Sequence, residues 1–256
     1  MQALQPKDRI IVALDVDSVN KAIGLVEKLH DYVGYFKIGL ELITTMLVEL
    51  ITAETDEEAV LKLGKIRQLF RLLGGNVFWD GKFDDIPNTV GGAVKALAKL
   101  NLKMFNAHAS PGIDTMLAAS ANKGGMLALA VTVLTSLEEN DAYLSFGAPS
   151  KAKVLQFARN AKLAGFDGIV CSPLELTLLK KRKELTGFLK VTPGIRDKDS
   201  PPDDQNRTMT AFEAFVAGAD LAVIGRPITS APDPVDAAKR FAVQIDCAFQ
   251  SLQKAA

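Results

Sequence analysis

Histidine, cysteine and tryptophan are almost missing from this chain, with two, two and one among 256 residues. Two histidines, His30 and His108, cannot build a histidine-rich metal site between them. Cys171 and Cys247 lie far apart in apolar sequence with no CxxC spacing, so they read as reduced core thiols rather than a disulfide framework. Charge of one sign is not in excess: 30 Lys and Arg stand against 30 Asp and Glu. Without a basic surplus to neutralise a phosphate backbone, no nucleic-acid partner is expected. No uncharged run reaches the ~20 residues that cross a bilayer, so no membrane partner is expected. The first nine residues, with Gln2, Gln5 and Asp8, carry no apolar signal-peptide core. These absences point to a cytoplasmic globular protein. What the chain does have is apolar mass, with 48% hydrophobic residues and a mean hydropathy of +0.14. That is too apolar for a disordered chain. At 27.5 kDa it is the size of one closed α/β barrel or of two small domains.

Short apolar runs alternate with longer stretches of helical period. Strands are expected at 10–14, 35–38, 76–80, 104–108, 126–133, 168–171, 188–191 and 221–224. Most are continuous apolar runs, as in parallel strands buried on both faces. Helical patterns include 18–29, 87–100, 151–164, 173–182, 209–217 and 233–252. Ser18, Pro87, Pro173 and Asp233-Pro234 open four of them, and Gly165 and Gly218 close two. Eight strands, each followed by helix, is the count of a (β/α)8 TIM barrel. A doubly wound sheet shows the same alternation, and counting alone does not separate the two. Residues 41–75 are long enough for two helices, with an acidic joint at Glu54, Asp56, Glu57 and Glu58 that reads as a solvated turn. The polar stretch 197–206 follows the seventh strand, where a barrel carries its lid loops.

The strand ends are unusually polar. In order they carry Asp15, Lys37, Asp80 with Lys82, His108 with Ser110, Thr132 with Thr135, Ser172, Arg196 and Arg226. Charges gathered at the rim of a core are costly unless they pair or bind something, and a ring of them marks a site. The densest segment runs from Asp80 to Thr89. Side chains two apart on a strand share a face, so Asp80 and Lys82 are expected to project together into the barrel mouth, with Lys37 approaching from the neighbouring strand. Carboxylates between lysines keep them protonated, which suits a proton donor and not a Schiff-base lysine. Pro193-Gly194-Ile195-Arg196 and Ile224-Gly225-Arg226-Pro227 follow strands seven and eight, where barrels commonly bind phosphate. His108, Asp17, Asp84, Ser172 and Thr132 are assigned structural roles.

These residues resemble the orotidine 5′-phosphate decarboxylase family in its bacterial form. The likeness runs through Ala13-Leu-Asp15, Phe36-Lys37-Ile-Gly39, the DxKxxDIPNT segment 80–89, Asn106-Ala-His-Ala-Ser110, 131–136, 191–196, Asp204-Gln205 and Ile224-Gly-Arg226. The resemblance implies one TIM-barrel domain over 1–256 that converts orotidine 5′-phosphate to uridine 5′-phosphate without a cofactor. Lys82 would protonate carbon six as carbon dioxide leaves, Asp80 would lie beside the substrate carboxylate, and Lys37 and Asp85 would complete the charged array. Asp85 and Thr89 would reach into the partner's site of a homodimer, with Ile86 of the same segment among the substrate-binding residues. Asp15 would hold ribose hydroxyls and Thr135 would lie near the pyrimidine. Arg196, Gln205, Gly225 and Arg226 would grip the phosphate.

Two features depart from the family pattern. Gly81 replaces a bulkier apolar residue, which predicts a looser backbone between Asp80 and Lys82, and segment 41–75 is longer than in compact bacterial members. Two rivals stand beside this reading. One is a magnesium-dependent sugar-phosphate lyase or decarboxylase of the same barrel superfamily, for which Glu41 would be the metal-binding carboxylate after strand two. The other is a catalytically silent barrel that binds a phosphorylated ligand.

Overall fold

The computed structural model describes residues 4–197 and 208–254. Its centre is a closed barrel of eight parallel strands in sequential order: β1 (Ile10–Ala13), β2 (Tyr35–Gly39), β3 (Val77–Phe83), β4 (Met104–His108), β5 (Leu127–Val131), β6 (Gly168–Val170), β7 (Leu189–Thr192) and β8 (Leu221–Ile224). Closure is made by β8 against β1, with Ile10 beside Ala222 and Val12 beside Ile224. The barrel is thus a (β/α)8 TIM barrel and not the open doubly wound sheet. Around it run α1 (Val19–Leu29), α2 (Leu40–Ile51), α3 (Asp56–Leu73), α4 (Pro87–Leu97), α5 (Ile113–Asn122), α6 (Glu139–Phe146), α7 (Ser150–Leu163), α8 (Leu176–Lys180), α9 (Ala211–Ala217), α10 (Arg226–Thr229) and α11 (Pro234–Lys254). Among the described residues no helix is long and apolar enough to cross a membrane.

Two apolar layers explain why the strands read as unbroken hydrophobic runs. Ile11, Ala13, Phe78, Met104, Leu129, Val191, Leu221 and Val223 fill the barrel interior. Their outward neighbours, such as Ile10, Val12, Leu14, Ile38 and Phe105, pack under the helices. Successive residues alternate between the layers, and both layers are dry. The register then sets neighbours at the rim: Ala13 lies beside Lys37, and Gly39 beside Asp80.

The expected strands and helices recur with ends moved by at most three residues. Helices α5 and α6 and the four-residue α10 lie outside the expected helical stretches. Helix α6 buries only Ala142, so it has no apolar face to read. Strand β3 extends to Phe83 rather than stopping at Asp80, because its polar end, Asp80-Gly-Lys82, lacks the apolar signature of a buried strand. Residues 41–75 do form two helices, α2 and α3. The acidic joint is more than a solvated turn. Asp56, Glu57 and Glu58 form the first turn of α3, where negative charge complements the helix dipole. The Thr55 hydroxyl accepts from the Glu58 N–H, while the Glu58 carboxylate accepts from the Glu54 N–H.

Gly81 is enclosed, not open, on the face where a side chain would stand. A Cβ built on Gly81 would lie 2.8 Å from Trp79 Nε1 and 3.5 Å from Phe83 Cε1. The indole of Trp79 therefore fills the outer face of β3 that a side chain at position 81 would otherwise occupy. Gly81→Ala is expected to destabilise the protein by ~1–3 kcal/mol through overpacking. Placed on a Trp79→Leu background, the same change should cost less by at least ~0.5 kcal/mol. Urea denaturation of the two single variants and the double variant measures this coupling, and strict additivity would show that the two positions do not share that space.

Candidate active site

At the carboxyl end of the barrel lies a cavity of about 570 Å³. Asp15 follows β1, Lys37 sits on β2, Asp80 and Lys82 on β3, Thr135 after β5, Arg196 after β7, and Gly225 with Arg226 after β8; all line this one cavity. The four charged groups nearest its floor form a continuous chain. Lys37 Nζ lies 2.8 Å from Asp15 Oδ1 and 3.1 Å from Asp80 Oδ2. Lys82 Nζ lies 2.8 Å from Asp80 Oδ1. The side chains of Lys37 and Asp80 are only 10% and 9% exposed, against 33% for Lys82 and 49% for Asp15. The inner pair is thus locked, and the outer two face the space a ligand would fill.

Burial and pairing oppose one another here, and pairing wins. Burial alone would raise the Asp80 carboxyl, but the Lys37 and Lys82 ammoniums and the donors of Lys82 and Asn106 hold it below the ordinary carboxylate value. Burial alone would lower Lys37, yet Asp80 and Asp15 push it above the ordinary lysine value. Asp80 and Lys37 therefore both stay ionised at neutral pH.

Simple alternation along β3 does not describe how Lys82 reaches this cluster. Pairing of β3 with β4 shifts between Trp79 and Phe83, and Lys82 has φ +46°, one of two non-glycine residues with positive φ among those described. A left-handed lysine is strained by ~1–3 kcal/mol and persists only where its surroundings hold it. The hold comes from Asn106 on β4, whose side chain is fully buried. Asn106 Oδ1 accepts from the Lys82 N–H at 2.8 Å, and Asn106 Nδ2 donates to Asp80 Oδ1 at 2.6 Å.

Beyond β7, Gly194 has φ +78° and turns the chain into the cavity wall. Ile195 bridges Met209, and Arg196 N–H donates to the Met209 carbonyl at 3.0 Å, so the two ends of the polar loop are joined. Gln205 lies outside the described residues. Gly225 precedes α10, which begins with Arg226 and Pro227.

Asp85, Ile86 and Thr89 stand apart. None lines the cavity of its own barrel, and all three are exposed, Ile86 by 65%. Asp85 Oδ1 accepts from the Ile86 N–H at 2.6 Å, and its carbonyl accepts from Thr115 at 3.2 Å. Within one chain the array therefore runs Asp15–Lys37–Asp80–Lys82, with Asp15 added at the Lys37 end, opposite to the Lys82 end at which the resemblance puts the partner subunit's Asp85. Residues set aside as structural behave so: Thr132 donates to the Val170 carbonyl, and Ser172 caps the turn before α8. For His108, burial lowers the imidazole pKa against the pull of Asp84.

Sequence reasoning missed three participants in this geometry. Asn106 carries one signal in the sequence, a polar amide between Phe105 and Ala107 in the interior of β4. Thr229 lines the cavity one helical turn beyond Gly225. Gly39 was part of a motif but unexplained. A Cβ there would fall 2.6 Å from Lys37 Nζ and 2.7 Å from Asp15 Oδ1, so the ion pair lies directly over this glycine.

Residues 8–241 match the model of the Orotidine 5'-phosphate decarboxylase / HUMPS family. The chain belongs to that family. It is 40% identical to the orotidine 5'-phosphate decarboxylase of Moorella thermoacetica, over 96% of this chain and 95% of the relative. It is 41% identical to that of Methylococcus capsulatus, over 94% and 93%. Among solved structures, the orotidine 5'-phosphate decarboxylase from Lactobacillus acidophilus is 31% identical, superposes with a TM-score of 0.70, and covers 92% of this chain and 98% of its own. The two curated relatives are matched over nearly all of their length, with 93–95% of each covered.

Gly39→Ala tests the packing of the array without altering any charge. The methyl group displaces the Lys37–Asp15 pair, and a misplacement of this size is expected to lower kcat/KM for the family reaction by ~10–100-fold. Unfolding measurements on the same protein should change little, since only flexible side-chain ends must move. A variant as active as the parent would mean that the position of this pair is unimportant to turnover.

Proposed function

We infer that this protein decarboxylates orotidine 5′-phosphate to uridine 5′-phosphate, in pyrimidine nucleotide synthesis, through the charged array on β2 and β3. The observation that carries this reading is the Lys37–Asp80–Lys82 cluster at the floor of a cavity whose opposite wall holds Arg196 and Arg226. That spacing suits a substrate with a phosphate at one end and a reacting ring at the other. Loss of carbon dioxide leaves an electron pair at carbon six that no adjacent carbonyl delocalises. The Lys82 ammonium, fixed in advance beside that carbon, stabilises the developing charge without reorganisation and then supplies the proton that forms the new C–H bond. Asp80 lies beside the departing carboxylate, Asp15 takes ribose hydroxyls, and Thr135 borders the pyrimidine. Arg196, Arg226 and the Gly225 backbone, with Gln205, hold the phosphate. Binding energy from that remote group then supports alignment at the reacting carbon.

The reaction so described is carried by side chains of the chain itself and calls for no cofactor. The magnesium reading needs a carboxylate after β2, and Glu41 does line the cavity. Asp80, however, already has Oδ2 on Lys37 and Oδ1 on both Lys82 and Asn106, which leaves it poorly suited to a metal. Activity that survives exhaustive chelation separates the two. Both thiols are free, Cys171 in the core as expected but Cys247 exposed on α11 and so not a core thiol, and free thiols fit the reducing cytoplasm in which we place the enzyme.

The functional unit in this reading is a homodimer with shared sites. Asp85, Ile86 and Thr89 are exposed at the turn into α4 and face away from their own cavity, which supports their reaching across a two-fold axis.

Adding orotidine 5′-phosphate to the pure protein should give a loss of ultraviolet absorbance. Lys82→Ala should reduce kcat by at least ~10³-fold while substrate-analogue binding and fold persist. Turnover within a few-fold of the parent would exclude Lys82 as the proton donor.

Mixing Lys82→Ala protein with Asp85→Ala protein and allowing subunits to exchange tests the shared site. About half the dimers are then mixed, and roughly a quarter of all sites carry neither lesion, so activity returns. Confirmed exchange with no recovery would place Asp85 in its own chain's site.

A further inference from the structure

Where β3 bulges away from β4, the Lys82 N–H leaves the backbone ladder. The register passes from Trp79–Phe105 directly to Phe83–Ala107, so the intervening residues of β3 have no partner in the ladder. Asn106 lies on β4 opposite that gap, and its side-chain carbonyl takes the N–H that a strand carbonyl would otherwise accept. Its amide nitrogen donates to Asp80 Oδ1, the same oxygen that holds Lys82 Nζ. The bonds close a ring: Lys82 backbone to Asn106, Asn106 to Asp80, Asp80 back to the Lys82 ammonium. Both ends of one lysine are therefore tied through a single buried amide, and that lysine sits at a φ of +46°, which an unsupported side chain would abandon.

We propose that Asn106 is a positioning residue for the decarboxylation. It holds Lys82 in its left-handed conformation and keeps Asp80 aimed at the Lys82 ammonium, without touching substrate itself. This rests on the decarboxylase reading of the same cavity. The role needs one donor and one acceptor in a fixed geometry. Alanine supplies neither. An ionised aspartate supplies the acceptor but no donor, and sets a second negative charge against Asp80. A protonated aspartate supplies both, with O–H in place of N–H.

That last property makes the proposal testable by pH. The titratable groups facing position 106 are Asp80 and Lys82 from β3, with Lys37 beyond Asp80 and Asp15 beyond Lys37. His108, two residues along β4, interacts with Asp84 and also with Lys82 and Asp80, a contribution that the parent profile carries as well and the ratio to the parent removes; the register neighbour from β5 is the apolar Leu129. Two carboxylates sharing one site hold a proton well above the ordinary carboxylate range. In Asn106→Asp that shared proton restores the ring at low pH, and its loss breaks the ring as pH rises.

The experiment measures kcat and KM for the parent, Asn106→Ala and Asn106→Asp between about pH 5 and about pH 8, the range over which a raised carboxyl titrates. Hydrogen exchange of the Lys82 amide is followed in the same proteins. Asn106→Ala should lower kcat by ~10–100-fold with a smaller change in KM, and should lose protection at Lys82. The kcat of Asn106→Asp relative to the parent should rise as pH falls, and its Lys82 protection should rise with it. Should Asn106→Ala not fold, the aspartate variant carries the test alone, because its protonated form is isosteric with the native residue. A ratio independent of pH, or unaltered exchange at Lys82 in the ionised variant, overturns the proposal. If the parent itself does not decarboxylate the nucleotide, the functional reading fails, and the exchange data still decide whether Asn106 holds Lys82.

Discussion

One buried carboxylate organises the mouth of this barrel. Asp80 is almost inaccessible, and a lone charge in such a place would be severely destabilising. Its two oxygens receive Lys37 on one side and Lys82 with Asn106 on the other. Lys37 in turn is held by Asp15. Each group is tolerable in the barrel floor only because the next is present. The array is thus a cooperative unit rather than a set of independent contacts, and its members arrive from β1, β2, β3 and β4. The closed register makes this possible by placing Ala13 beside Lys37 and Gly39 beside Asp80.

The strand that bears Asp80 departs from ideal geometry where the charged array sits. A regular β3 would pair with β4 throughout, but the pairing is interrupted before Phe83 and Lys82 adopts a left-handed backbone. Strain of this kind survives when surrounding structure over-determines it. On the inner side that structure is the Asn106 bridge. On the outer side it is Trp79 and Phe83, packed about Gly81 and against the helical layer. Rigid packing behind β3 and a polar ring in front of it define one position for the lysine.

Much of this was readable from the residues alone. Strands buried on both faces announce themselves as unbroken apolar runs, which is why eight were counted in the correct order. Charged residues at the ends of those runs pointed to the rim, and the structure brings Asp15, Lys37, Asp80, Lys82, Thr135, Arg196, Gly225 and Arg226 around one cavity. The misses share a cause. Strand β3 was read too short because its last residues are polar, although charge pairing rather than apolar burial keeps them in the barrel. Asn106 was passed over because its importance lies in a gap in the neighbouring ladder, which no sequence period records. Gly39 and Gly81 gain their meaning from what lies over them, an ion pair in one case and an indole in the other.

Trp79 has a consequence of a different kind. It is the chain's single tryptophan, and its ring lies against the outer side of the residue that joins Asp80 to Lys82. The tryptophan emission of this protein, excited beyond the range of its three tyrosines, therefore originates at one known point, directly behind the Asp80–Lys82 turn of β3. In most proteins such emission is a blurred average over several rings. Here a change in its wavelength or quantum yield would report the packing of β3 itself, giving an optical view of the cavity floor without any added label.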